Sequence, residues 1–327
     1  MITKIKTNGR KEWLAERRKS LGGSDMGAVL GMNDYTSPVA VWMDKTGRLP
    51  EKEQTEWMRL GTDLEDYVAQ RFCEASGLKV VKDNYTWRNS KYPHLHMNPD
   101  RRIVGQKAGF EAKIVSQLNE KKYRGGDFPD SYYAQVVTYL CVSEFDRWYL
   151  GALILGEGLR IYQMTRIPND TKPDWCIASV YVDDEELKAV GDTAENFWGY
   201  VAQDTPPPAD GHPKTGEALF ALYPDSRDEI IGIGAFEREL DNYFRLKDQL
   251  KNLTQTIDGI ENRIKAHLGE YARGEGEKYK VSWKTQYRKT FDSKGFIADH
   301  PEVDVSKYYR ESNSRPFRIT EKKTGGK

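Results

Sequence analysis

The chain has 327 residues, and its 50 Lys and Arg are matched by 50 Asp and Glu, so overall charge assigns it to neither acidic nor basic partners. Apolar residues make up 38% and the mean hydropathy is −0.76, and no stretch approaches the roughly 20 apolar residues that a membrane-spanning helix needs. The opening MITKIKTNGRKEW lacks the apolar block of a secretory signal, which points to the cytoplasm, and Cys73, Cys141 and Cys176 share no C-x-x-C spacing, which argues against a disulfide framework or a four-cysteine metal site.

A polar helix is expected from Glu12 to Arg18, followed by LGGSDMGAVLGM, where Gly22 and Gly23 break the chain and Ser24 or Asp25 can cap the next helix. SPVAVWMDKTG reads as a short helix with Ser37 as N-cap, Pro38 in the first turn and Gly47 at its end. TEWMRLGTDLEDYVAQRFCEASG sets Met58, Leu64, Val68 and Phe72 at helical spacing and closes at Gly77, with Glu65 beside the apolar stripe. LKVVKDNYTWRNS, HLHMNPDRRIVG and, after a turn near Gly109, GFEAKIVSQ alternate like the strands of a meander. A helix in DSYYAQVVTYLCVSE and strands in RWYLGALILG and LRIYQMTRI follow.

That order of elements predicts an α/β (α+β) fold with a central mixed β-sheet flanked by helices, spanning residues 1–210. DTPPPADGHPKTG is a linker-like loop. A helical segment is expected over 211–270, because apolar residues from Phe236 recur in steps of three and four to position 268. That is the pattern of a coiled-coil or hairpin seam, and equally of a helix packed on its own domain. The tail over 271–327 reads as a strand-rich extension packed on the core, and from Arg273 it carries 14 Lys and Arg against 8 Asp and Glu.

The chemistry centres on NPDRRIVGQKAGFEAK. Glu111 and Lys113 are two apart on one strand and project from the same face, and a turn between Gly105 and Gly109 sets Asp100 across from Glu111. Two such carboxylates repel unless a cation lies between them. Hard oxygen ligands at this spacing suit Mg²⁺, and Lys113 beside them can orient or deprotonate a water. That chemistry is metal-assisted hydrolysis of a phosphodiester, while the plainer reading of the same spacing is an exposed hairpin with an ion pair. Glu65 on the preceding helix can complete a metal shell, and Gln135 in YYAQV can position the attacking water or a phosphate.

Arg17 seven residues before Ser24 in RRKSLGGSD, then SPVAVWMDKTG, LGTDLEDYVAQRF, NPDRRI, FEAK and SYYAQVVTYL together resemble the YqaJ-type viral recombinase nucleases. These are relatives of phage lambda exonuclease in the PD-(D/E)XK superfamily, and the likeness covers roughly the first half of the chain. The resemblance implies a restriction-endonuclease-like core carrying a helical insertion and a C-terminal strand extension. It implies Mg²⁺, with Mn²⁺ as a substitute, held by Asp100, Glu111, the Ala112 backbone carbonyl and Glu65. Lys113 would activate the water, Gln135 would hold it, and Arg17 and Ser24 would bind the phosphate of the DNA end.

It further implies 5′-to-3′ degradation of one strand of linear duplex DNA, leaving a 3′ overhang for a single-strand annealing protein. A ring of three subunits, no membrane association and a cytoplasmic phage or prophage protein in a bacterial host belong to the same picture. An endonuclease on the same core, or an inactive DNA-binding module, are the alternatives. His94 and His96 are expected in ordinary packing or at the surface. Lys121 to Arg124 reads as a DNA contact ahead of a solvated loop because it directly follows the catalytic strand, and WKTQYRKTF reads equally as a DNA contact or an edge strand.

Overall fold

The structure is a computed structural model that describes residues 1–49, 54–310 and 313–321. It divides into two units, Met1–Pro224 and Asp225–Lys327. In the first, β1 (Ile2–Lys6) leads to α1 (Arg10–Arg17) and α2 (Gly23–Val29). α3 (Pro38–Lys45) starts where Ser37 Oγ accepts from the Ala40 N–H at 3.3 Å, with Pro38 in its first turn. α4 (Glu56–Ser76) starts where Thr55 Oγ1 accepts from the Met58 N–H and stops at Gly77, whose φ of 72° a side chain would resist. α3 and α4 thus begin on side chains that satisfy orphan backbone N–H groups, and this is why both are visible in the sequence.

Next come β2 (Val80–Lys82), β3 (Tyr85–Asn89), β4 (Tyr92–Met97), β5 (Arg101–Ile103), β6 (Ala108–Val115), α5 (Asp130–Ser143), β7 (Arg147–Ile154), β8 (Gly158–Thr165), β9 (Ala178–Tyr181), α6 (Asp184–Ala202) and α7 (Pro213–Leu222). The main sheet runs β2-β5-β6-β7-β8-β9, with β6–β7 and β8–β9 parallel and the remaining pairs antiparallel. The expected mixed sheet flanked by helices is therefore present. Along β7, Trp148, Leu150, Ala152 and Ile154 belong to the core shared with α5, while Tyr149 and Leu153 belong to the core shared with Val68, Ala69 and Phe72 of α4. Both faces of the strand are covered, which explains its nearly continuous apolar text.

The expected meander is divided between two sheets. β3 and β4 join β1 in a separate antiparallel sheet, and β5 and β6 enter the main one. The break falls at Asn98–Pro99–Asp100, because Pro99 has no N–H to continue a ladder. The turn lies at Gly105, with φ 74°, rather than at Gly109. Gly109 is inside β6, where an added methyl would lie 2.4 Å from the Trp148 ring.

β1, β9 and α6 were not expected from the sequence. α6 does carry a local start signal, since Asp183 and Glu186 each accept from the other's backbone N–H. The first unit ends after α7, not at 210, because Ala218, Leu219 and Leu222 pack into the main core. In the second unit, α8 (Glu237–Leu268) is one continuous helix rather than a hairpin. It is followed by the ribbon of β10 (Arg273–Glu275) and β11 (Lys280–Ser282), and by α9 (Ser293–Asp299). Only Lys280–Ser282 of the strand-like tail text is strand, so the tail is far less strand-rich than its alternation suggests. The three cysteines are free thiols, and among the described residues no helix is long and apolar enough to cross a membrane.

Candidate active site

The ladder pairs Arg101 with Phe110 and Arg102 with Gly109, so Asp100 stands just past the end of β5, level with Glu111. Asp100 Oδ2 accepts from the Ala112 N–H at 2.9 Å, which pins the carboxylate to the exposed edge of β6. The Ala112 carbonyl faces the same edge, because the N–H and C=O of one strand residue point the same way. On the α5 side of the sheet, Glu111 Oε1 accepts from Lys113 Nζ and from Gln135 Nε2, each at 2.7 Å. Gln135 also donates to the Tyr139 hydroxyl at 2.7 Å, and that hydroxyl donates to the Asn98 carbonyl at 3.3 Å. The expected group of Asp100, Glu111, Lys113 and Gln135 is therefore assembled by one strand edge and one helix.

Its electrostatics are unbalanced. Burial and the Glu111 charge push the Asp100 carboxyl well above its usual range, against the pull of Lys113. Burial and both carboxylates push the Tyr139 hydroxyl up as well. Burial works against the Lys113 ammonium, yet Glu111 together with Tyr132 and Asp100 outweighs it and holds the group above its ordinary value. Glu111 is 3% exposed, and its second oxygen, Oε2, is buried with no hydrogen-bond partner. Such an orphan typically costs about 1–3 kcal/mol, more when charged. Two adjacent carboxylates with an unsatisfied oxygen suit a hard divalent cation. Among the described residues no three or more His, Cys, Asp and Glu gather into a metal-holding group, so further ligands would be the Ala112 carbonyl and water.

Glu65 reaches this edge from the opposite, α4 side of the sheet. Its Oε1 accepts from Arg101 Nη1, while Arg101 Nη2 bonds Asp66, and Lys82 stands 4.0 Å from Glu65. Glu65 still adds to the negative potential at Asp100. Both line a cleft of about 460 Å³ with Trp13, Lys82 and Asn98. The sequence reading did not single out Arg101; its only signal was a charged residue at an inward position of a short strand.

Arg17 and Ser24 also meet. Arg17 Nη2 lies 3.4 Å from Ser24 Oγ and 3.3 Å from Asp25 Oδ1, with the guanidinium 4.9 Å from the Trp13 ring centre. Asp25, expected only as a helix cap, accepts from the Gly22 N–H at 2.8 Å and from the fully buried Lys45 Nζ at 2.6 Å. Lys45 also donates to the Arg17 carbonyl at 3.0 Å. Burial raises Asp25, but Lys45 and Arg17 outweigh it and hold the carboxyl far below its usual range. Gly23 carries this turn onto α5, for a methyl there would lie 2.8 Å from Gln135 Cγ and 2.9 Å from the Gln135 carbonyl. Lys45 was missed although it sits four residues after Val41 on the buried face of α3, which was its one signal.

His94 stacks on Trp198 and lies 3.2 Å from Glu195. His96 is fully buried; its Nδ1 is 2.9 Å from Ser20 Oγ and its Nε2 has no partner. Burial and the Lys45 charge push His96 down to about 3. Below an unfolded value of about 6.5 the unfolded chain takes up a proton that the folded chain refuses, so stability falls with pH in that window. The His96 contribution is expected to be a loss of about 2 kcal/mol between pH 7.5 and 5. Urea unfolding at both pH values measures it, and His96→Gln should remove that part of the slope. An unchanged slope would show that His96 is protonated alike in both states. In the basic run after β6, Lys122 pairs with Asp34 at 2.8 Å and Arg124 with Glu120 at 2.7 Å.

Residues 12–146 match the YqaJ-like viral recombinase domain, a span that holds all seven side chains named for the site. The protein YqaJ of Bacillus subtilis (strain 168) is 32% identical over 327 residues, covering 98% of this chain and 97% of its own length. Protein R354 of Acanthamoeba polyphaga mimivirus is 27% identical over 150 residues, or 42% of this chain and 27% of that protein. Among solved structures, an alkaline exonuclease from Laribacter hongkongensis is similar over 60% of this chain and 94% of its own, with a TM-score of 0.47 and 14% identity.

Proposed function

This chain belongs to the YqaJ-like viral recombinase family, and from that premise we propose that it is a metal-dependent deoxyribonuclease acting on the 5′ ends of linear double-stranded DNA. The observation that carries the reading is the buried, partnerless Oε2 of Glu111 beside an Asp100 carboxyl under strong electrostatic load. Asp100, Glu111 and the Ala112 carbonyl would hold Mg²⁺, or Mn²⁺ in its place, with Glu65 contributing through water from the cleft wall. The ion, when bound, supplies a Lewis acid that polarises the phosphate and acidifies a bound water.

The chain's own residues do the rest. Lys113, an ammonium fixed on Glu111, donates hydrogen bonds to the attacking water and counters charge that builds on the phosphate oxygens. Gln135, locked by Glu111, Tyr139 and the tight approach of Gly23, orients that water. Arg17 and Ser24 receive the 5′ phosphate of the DNA end. Their position beside the same α5 turn sets the distance from the end to the cleaved bond. The 3′ overhang so produced passes to a single-strand annealing protein, in the cytoplasm of a bacterium carrying the phage or prophage. A ring of three subunits would keep the enzyme on its DNA.

Digestion of linear and covalently closed circular duplexes, labelled at either 5′ or 3′ ends, tests this with Mg²⁺ or EDTA present. Early Mg²⁺-dependent loss of 5′ label with intact circles is the expected result. Cut circles would make it an endonuclease, and no cleavage would leave a DNA-binding module. Arg17→Ala is expected to lower kcat/KM on 5′-phosphorylated ends by about 10- to 100-fold, the scale of a lost charge-assisted contact. Unphosphorylated ends should change little, and equal losses on both would remove Arg17 from phosphate binding.

A further inference from the structure

We propose that α8 pairs with the α8 of a second copy of this chain as an antiparallel two-stranded coiled coil. Tyr243, Leu250, Ile257 and Ile264 recur every seven residues, and Leu246, Leu253 and Ile260 fall three residues after the first three. This heptad stripe faces solvent: Leu250, Leu253 and Ile257 are 57%, 61% and 54% exposed. No charged side chain interrupts it between 243 and 264. A lone helix of this kind is marginal in water, and Gly259 in its C-terminal half and the lack of a side-chain N-cap weaken it further. Burying the stripe against a partner helix offsets that weakness.

Sequence symmetry and charge select the partner and its direction. With Leu253 opposite Ile257 of the second copy, the neighbouring layers are Leu250 with Ile260 and Leu246 with Ile264, so every central layer joins one Leu to one Ile. In an antiparallel pair the same flanking position of each helix faces itself. Lys247 then meets Glu261, Gln249 meets Arg263 and Thr256 meets Thr256, with two opposite-charge pairs and no like-charge pair. A parallel pair in register would set Lys247 near Asn242 and Glu261 near Thr256, and no opposite charges would meet. Glu261 also bonds Lys265 within its own helix at 2.9 Å, so it is already held on the flank of the stripe.

Light scattering on the full-length chain tests the pairing. Leu253→Asp with Ile257→Asp is expected to halve the particle mass, whether the pair joins two single chains or two rings of three, and to lower helix content because the lone helix is marginal, while leaving DNA cleavage unchanged, since neither residue belongs to the candidate active site. Equal masses for the two proteins would overturn the proposal, and would mean that the chain's own surface or another protein covers the stripe. Charge exchange provides a second readout that keeps the apolar stripe intact. Lys247→Glu should weaken association by about tenfold by setting Glu against Glu twice, and adding Glu261→Lys should restore it. Failure of the double exchange to restore association would overturn the antiparallel arrangement.

Discussion

Exchange of Asp100 for asparagine is expected to reduce cleavage of linear duplex DNA by at least about a thousandfold while raising the melting temperature in EDTA. The loss of activity follows from removing one of two carboxylates that would hold the ion. The gain in stability follows from the sign of the Asp100 shift. A carboxyl whose folded pKa is raised costs the folded state free energy at every pH above its unfolded value, because the charge is more easily borne in the unfolded chain. Burial and Glu111 cause that cost. Asparagine keeps an acceptor for the Ala112 N–H without the charge, and each kcal/mol relieved should raise the melting point by about 2–4 °C in a unit of this size.

Lys113→Ala gives the matching contrast. It should lose activity on the same scale, but its melting temperature should fall, because Glu111 then keeps its buried charge with Gln135 as its remaining donor. Cleavage rates and EDTA melts of the two variants side by side separate catalysis from support. A lower melting point for Asp100→Asn would make Asp100 structural, and retained cleavage in either variant would take that residue out of the site.

Lys45→Met is expected to destabilise the first unit by about 3–5 kcal/mol, the usual cost of stranding a buried charge. Lys45 Nζ is fully buried between Asp25 Oδ2 and the Arg17 carbonyl, and without it Asp25 retains only the Gly22 N–H and the 3.3 Å contact with Arg17. The double variant Lys45→Met with Asp25→Asn removes both charges and should recover most of the loss. Urea unfolding of the two single variants and the double variant measures the coupling as a double-mutant cycle. Simple additivity would mean that the pair does not support the turn carrying Arg17 and Ser24.

Acid should weaken the same turn through Asp25 within it and through His96 of β4, packed against Gly22. Asp25, with a depressed pKa, contributes stability that is present above the ordinary carboxylate range and lost as pH falls through its folded value. His96 loses its contribution earlier, from about pH 6.5 downward.

The sequence by itself determined whatever depends on neighbours along the chain. Ser37 with Pro38, and Thr55 with Gly77, mark helix ends because capping is a contact within one turn. Glu111 and Lys113 share a face because strand side chains alternate with period two, and Asp100 lies level with them because one short turn returns the chain. The heptad stripe of α8 is likewise written in the residues, since its period is that of the helix itself.

Tertiary structure alone decided which strands pair and which charges meet. Pro99 ends one strand, but nothing local says that β4 and β5 then enter different sheets, because sheet membership depends on pairing partners, β3 for β4 and β2 and β6 for β5. Glu65 looks free to join a metal shell until the fold sets Arg101 against it. Asp25 and Lys45, twenty residues apart, form a buried ion pair only once α2 and α3 have packed. The orphan oxygen of Glu111 likewise exists only when α5 closes over β6, since burial is a property of the whole packed layer and no spacing of residues encodes it.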